Sequence, residues 1–212
     1  MASEGISEDN MTENILHRVV ANNLKGRGVD VVSLLPKTKP AQGKEAIVIT
    51  QVAEMLKETG DWVQERHVQR IADTVDGVVN YIQENPGNVG NFYHNLMAQM
   101  FDDGIINWGR IVMLFYTLGK LAVRLVTTGL GDVREMLTQA VGYLRKNVVG
   151  WIIRMGGWMC SIAAIAKFRI TTVPLVTPPK PTSEGAIALT YLTSGMVLGG
   201  ILVFWMMSKT KQ

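Results

Sequence analysis

An all-α bundle of about eight helices around a central apolar hairpin, followed by a C-terminal membrane helix, is the fold this sequence predicts. Three observations carry it. Apolar residues recur at helical spacing in segment after segment, and no strand-like alternation runs longer than residues 29–35. Residues 105–126 are apolar around almost the whole circumference, as in a helix that is enclosed by other helices or lies in a membrane. A run opening at Ile187 and closing at Met207 holds 21 residues without a charge. At roughly 1.5 Å per residue such a helix measures about 30 Å, the thickness of a bilayer's hydrocarbon core.

After a flexible N-terminus of residues 1–11, Thr12 and Asn14 can cap a first helix. Its residues Ile15, Leu16, Val19, Val20 and Leu24 share one face, and Gly26 or Gly28 closes it. Residues 29–43, with Pro36 and Pro40, read as a loop. A second helix over about 45–66 carries Val52, Leu56 and Val63 on one stripe. Residues 68–81 form a third amphipathic segment, which Asn85, Pro86 and Gly87 break. A fourth helix, from about 89 to 101, ends at a tight turn of Asp102, Asp103 and Gly104. The apolar segment 105–126 follows, then a turn at Gly129 and Gly131. Residues 132–149 then give a clean stripe through Val133, Met136, Leu137, Ala140, Val141, Leu144 and Val148. Gly150 opens a short helix, Gly156 and Gly157 interrupt it, and residues 158–167 make another. Residues 171–185, with four prolines, form a semi-rigid linker into an anchor over 186–207.

Composition excludes several classes of function. The net charge of +3 is small and scattered, with no basic run interleaved with aromatics, so nucleic acid is not a partner. A single cysteine, Cys160, rules out an internal disulfide framework and a Cys-rich zinc site. His17, His67 and His94 lack metal-ligand spacing with one another, and no P-loop, nucleophile elbow or dinucleotide fingerprint occurs. No enzyme, metal or cofactor is expected. Asp102 and Asp103 precede a helix start, where acids serve the helix dipole. The polar, acidic start of the chain is neither a secretory signal nor a mitochondrial presequence. Tyr191 and Trp205 as belt residues, and Lys209 and Lys211 behind the apolar run, fit a tail anchor that inserts after translation. Within it Gly195 and Gly199 are spaced for close helix packing in lipid.

Three short stretches carry a family resemblance. Asn107, Trp108, Gly109 and Arg110 resemble the BH1 motif of the Bcl-2 family, which here spans about 101–120. Gly150, Trp151 and Ile152, then Gly156, Gly157 and Trp158, resemble its BH2 motif, about 150–165. Residues 56–63 resemble its BH3 motif, about 52–66. Their order and gaps, together with the anchor, place the resemblance over roughly 12–207, with residues 12–170 as a Bcl-2-like bundle. Val52, Leu56, Thr59 and Val63 stand at the four anchor positions of a groove-binding helix, small Gly60 permits close approach, and Asp61 can pair with a cation. Arg110 is the cation best suited to a carboxylate, since its planar guanidinium binds one bidentately. Trp151, Gly157 and Trp158 resemble the wall and floor of the same groove, while Trp108 belongs to the core.

The stretch 100–116 is most similar to the Bax-like branch, one residue longer between the Asp-Gly turn and the BH1 motif than in protective members. Thr59, in place of a large apolar anchor, departs from that branch. The resemblance implies an apoptosis regulator that homo-oligomerises through BH3-in-groove contacts and permeabilises the mitochondrial outer membrane. Its implied partners are BH3-containing proteins, other family members, itself and outer-membrane lipids. The implied locations are the cytosol and that membrane, with the endoplasmic reticulum as a further one. The alternative is a protective member that sequesters BH3 helices, a reading to which the BH4-like stretch 15–28 contributes.

Overall fold

A computed structural model of the chain describes residues 7–25, 27–66, 68–84, 89–129 and 132–172. Among these every regular element is a helix, with no strand. Helix α1 spans Glu8–Leu24 and begins a turn earlier than expected, so residues 8–11 are not part of a flexible end. Ser7, not Thr12 or Asn14, is the cap: its hydroxyl accepts from the Asn10 N–H at 3.4 Å, and Glu8 and Asp9 place negative charge in the first turn. Thr12 is instead buried, its hydroxyl donating to the Glu8 carbonyl at 2.7 Å.

The expected loop contains a single helical turn, α2 (Val31–Leu34). This turn makes the count nine rather than about eight among the described residues. Helices α3 (Gly43–Arg66), α4 (Val68–Glu84) and α5 (Val89–Gln99) fall where the stripes placed them. Helix α6 (Trp108–Thr128) starts three residues later than the apolar pattern suggests. Asn107 is extended (φ −148°, ψ 164°) and its side chain accepts from the Arg110 N–H at 2.9 Å, which fixes the start. At the other end Gly129 adopts a left-handed φ of 67°, a conformation open to glycine. Helices α7 (Val133–Asn147), α8 (Val149–Arg154) and α9 (Gly157–Thr172) complete the bundle. α9 runs through Thr171 and Thr172, the first two residues of the expected linker. The anchor residues Ile187, Gly195, Gly199 and Met207 lie outside the described residues.

Helix α6 is the hub. Its Ile111, Val112, Leu114, Phe115, Leu118, Leu121, Ala122 and Leu125 are buried, and α1, α3, α4 and α9 all pack on it. It is the one helix among the described residues long and apolar enough to cross a membrane, a test that an enclosed core helix also passes. The return helix α7 turns Val133, Met136, Leu137, Ala140 and Leu144 inward, mainly onto α5 and α1.

Within α1, His17 is buried, and its Nε2 has no hydrogen-bond partner among the described residues. Burial lowers its pKa from 6.5 to about 4. Because the folded value lies below the unfolded one, the unfolded chain binds the extra proton. Stability is therefore full above pH 6.5 and falls as pH drops toward 4, by up to about 3 kcal/mol. Urea unfolding at neutral and acidic pH is expected to show this loss, and His17→Leu is expected to remove most of it.

Candidate functional site

The inner face of α3 is the stripe that resembles BH3. Val52, Leu56, Thr59 and Gly60 are fully buried and Val63 nearly so. All four anchor positions are therefore held inside the chain. Thr59 departs from an aliphatic anchor in a way the structure registers: its hydroxyl is buried with no partner among the described residues. Such an orphan costs about 1–3 kcal/mol relative to a paired group. Gly60 does what its size suggested, but for a residue of its own chain. A Cβ there would overlap the ring of Tyr116 on α6.

Tyr116 also closes the rim of this contact. Its hydroxyl donates to Asp61 Oδ1 at 3.0 Å and lies against the Gln64 side chain. Lys57 Nζ donates to Asp61 Oδ2 at 2.5 Å, and Lys120 Nζ stands 3.6 Å from Oδ1 and 4.9 Å from the centre of the Tyr116 ring. Partial burial acts to raise the pKa of Asp61, but the bonds from Lys57 and Tyr116 and the two lysine charges outweigh it and hold the carboxyl below the usual range. Burial, followed by the neighbouring Asp61, pushes the Tyr116 phenol up. One turn further along α6, Arg124 meets Asp76 of α4 at 2.9 Å. Tyr116, Lys120 and Arg124, at four-residue spacing on α6, thus hold α3 and α4 by their acids.

Arg110 opens α6 and is likewise occupied. Its Nη1 and Nη2 each donate to a carboxylate oxygen of Asp103 at 2.5 Å, a bidentate pair. Nη1 also reaches the carbonyls of Met100 at 3.1 Å and Ile105 at 3.0 Å. The Arg110 side chain is 12% exposed and that of Asp103 41%. The bond from Arg110 is the main reason the Asp103 carboxyl sits below the usual range. Asp103 was expected to serve the helix dipole. It grips the guanidinium instead, because the left-handed Gly104 (φ 71°) folds the turn back on α6. Nε of Arg110 is buried without a partner among the described residues.

The tryptophans divide differently from the expectation. Trp158 is fully buried, with its indole N–H donating to Thr12 Oγ1 at 2.8 Å and its backbone N–H to Glu8 Oε2 at 3.2 Å. Gly157 (φ 73°) lies directly against the Glu8 carboxylate. Both residues belong to the joint between α1 and α9, so Trp158 is core behind the surface rather than a groove floor. Trp108 and Trp151, half-buried, meet edge to face with ring centres 5.1 Å apart, and Gly109, next to Trp108 in the chain, is buried. Trp108 touches Trp158 at 5.9 Å, which links the surface pair to the core.

Residues 48–158 match the sequence model of the Bcl-2 family of apoptosis regulator proteins. The chain belongs to the Bcl-2 family. Among similar curated proteins, the apoptosis regulator BAX of Bos taurus is 33% identical over 110 residues, covering 51% of this chain and 53% of that protein. BAX of Homo sapiens gives the same figures. Bcl-2-like protein 1 of Sus scrofa is 29% identical over 116 residues, 54% of this chain and 48% of that protein. The match thus spans about half the length of these curated relatives.

Within this Bcl-2 family bundle, the residues that sequence reasoning missed are those whose partners lie far along the chain. Tyr116, Lys120, Asp103, Glu8 and Thr12 make the contacts that decide how the three motifs sit. One trace was available. Tyr116, Lys120 and Arg124 are polar positions on one line of an otherwise apolar helix, and such a line needs acids opposite.

Proposed function

We propose that the chain is a Bax-like effector of apoptosis, which oligomerises by passing its α3 helix into a neighbour's groove and permeabilises the mitochondrial outer membrane. The observation that carries this reading is the storage of a complete ligand stripe, Val52 to Val63, inside the core under a polar rim. A helix whose apolar side is sealed this way becomes a ligand only after the rim of Asp61, Tyr116 and Lys120 parts. In this reading Arg110 receives a ligand carboxylate, with Trp108 and Trp151 beside it and Asn107 and Gly109 shaping the approach. Gly157 and Trp158 brace that wall from behind. Reciprocal exchange of α3 is a two-fold, self-complementary contact. The partners are BH3 helices of other family members, a second copy and outer-membrane lipid. The locations are the cytosol and the mitochondrial outer membrane, with the endoplasmic reticulum as a further one.

The protective reading draws on the polar Thr59 anchor, which weakens α3 as a ligand while leaving the groove intact, and on the similarity to Bcl-2-like protein 1. Dye release from cardiolipin-containing vesicles separates the two. An effector is expected to release dye when a BH3 peptide is added. A protector is expected to release none and to block release by a known effector. Deleting residues 186–212 is expected to leave the chain diffuse in the cytosol, because about 20 apolar residues in lipid outweigh any surface contact of the bundle. Fractionation that finds the truncated chain on mitochondria would refute the anchor.

A further inference from the structure

The corner where α8 meets α9 carries an apolar surface that plays no part in the site above. Ile153, Met155 and Met159 are 55%, 47% and 60% exposed. Arg154, Gly156 and Cys160 beside them are exposed as well, while Gly157 and Trp158 between them are sunk into the joint with α1. The corner is fixed. The Met155 N–H donates to the Trp151 and Ile152 carbonyls at 3.1 and 3.0 Å, and the Gly156 N–H to the Ile153 carbonyl at 3.0 Å. Gly156 is packed so closely on Cys160 that a Cβ would lie 2.7 Å from Sγ. Beyond the corner, the outward stripe of α9 stays apolar through Ala163. A soluble chain rarely exposes such a cluster unless something covers it.

The charge around the cluster says what covers it. No aspartate or glutamate occurs between residues 136 and 172, whereas Arg145, Lys146, Arg154, Lys167 and Arg169 do. Glu8 and Glu13 of α1 reach this end already engaged. Glu8 is bonded to the Trp158 N–H, and Glu13 pairs with Arg145 at 2.5 Å. Arg154, in the middle of the cluster, and exposed Lys146 have no ion pair among the described residues. A second copy suits this surface poorly, since a two-fold contact would set Arg154 against its own image.

We propose that the corner formed by Ile153, Met155 and Met159 around Arg154 is an interfacial docking surface for an anionic lipid bilayer, used by the folded chain. Short apolar side chains would enter the headgroup boundary while Arg154 and Lys146 meet lipid phosphates. Residues 173–186, fully extended, reach at most about 50 Å. A membrane-spanning 187–207 therefore keeps the corner within range of the bilayer. Docking here needs neither release of α3 nor a choice between effector and protector, so dye-release results do not bear on it.

Cys160 is the sole cysteine and lies in the corner, so the full chain can be labelled there with an environment-sensitive fluorophore. Adding vesicles of phosphatidylcholine with phosphatidylserine is expected to raise and blue-shift the emission, with little change on phosphatidylcholine alone. Nitroxide lipids labelled near the headgroup are expected to quench it. Arg154→Glu together with Lys146→Glu is expected to remove most of the emission change on the anionic vesicles, while sedimentation with them, which the anchor dominates, persists. Met155→Ser with Met159→Ser, both at exposed positions, is expected to suppress the emission change while circular dichroism stays unaltered. Protein that sediments with anionic vesicles while its fluorophore still reports water would overturn the proposal, as would an equal emission change on both vesicle types or on neither. An emission rise driven by protein concentration alone would assign the corner to a second copy and overturn it equally.

Discussion

Leu56→Ala is expected to lower the unfolding free energy by about 2–5 kcal/mol, and Leu56→Glu to abolish the resting fold at neutral pH. Leu56 is fully buried at the middle of the α3 stripe, within the core built on α6. Truncation leaves a cavity that the surrounding helices fill only in part. A carboxylate in the same place would sit within that apolar cluster and must be neutralised or expose the helix. Against a typical total of about 5–15 kcal/mol, the second change alone can unfold the domain. Thermal and urea melts followed by circular dichroism check both. The same side chain is proposed to serve as the exchanged ligand, so a test of assembly needs a control of matched instability. Leu137→Ala, in the fully buried stripe of α7, supplies it. If only Leu56→Ala loses crosslinked dimers and higher oligomers on mitochondria, α3 is the exchanged element. Equal assembly by the two variants would refute the exchange.

Arg110→Glu is expected to remove binding of BH3 peptides, with a loss of about 2–5 kcal/mol read by calorimetry. The structure adds a local consequence. The new carboxylate would stand beside Asp103, and the carbonyls of Met100 and Ile105 would lose their donor. Some loss of stability in the turn before α6 is therefore expected as well. Asp103→Asn isolates the ligand effect, because it keeps the turn while weakening the internal partner that a ligand carboxylate must displace. It is expected to tighten peptide binding on the order of tenfold, about what one charge-assisted hydrogen bond contributes. Unchanged affinity in both variants would make Arg110 a purely structural clamp.

Local pattern carried most of the fold. The stripes of α3 and α7 were legible because burial on one face of a helix imposes its own spacing, and α6 announced itself by lacking a polar face. Helix ends were less legible: the turn at Gly129 closes α6 where the glycines placed it, but Asn107 caps the helix after the apolar pattern has already begun. Ser7, Thr12 and Asn14 are equally good cap types, and only the burial of Thr12 in the folded chain tells against it. The site was half legible. The anchor residues could be named from spacing, but not the fact that Gly60 receives Tyr116, since nothing near Gly60 in the chain encodes a ring 56 positions away. Asp103 and Arg110 are close in sequence, yet their pairing depends on the fold of an exposed turn. Trp158 looked like groove because its motif does. Its partners Glu8 and Thr12 stand at the opposite end of the described chain.

That last contact bears on the order in which the molecule comes together. The bonds from Thr12 and Glu8 to Trp158 join residues 146 and 150 positions apart, and α1 also packs on α3, α6, α7 and α8. A chain still missing α9 has no donor for Thr12 and no ring to fill the gap beside Phe115, which lies 5.7 Å from Trp158. Loops this long are closed late, since their entropy must be met before any contact rewards it. The first of the described helices is thus among the last to be fully secured. Until then the start of that helix, around Glu8 and Thr12, lacks the partner that closes it.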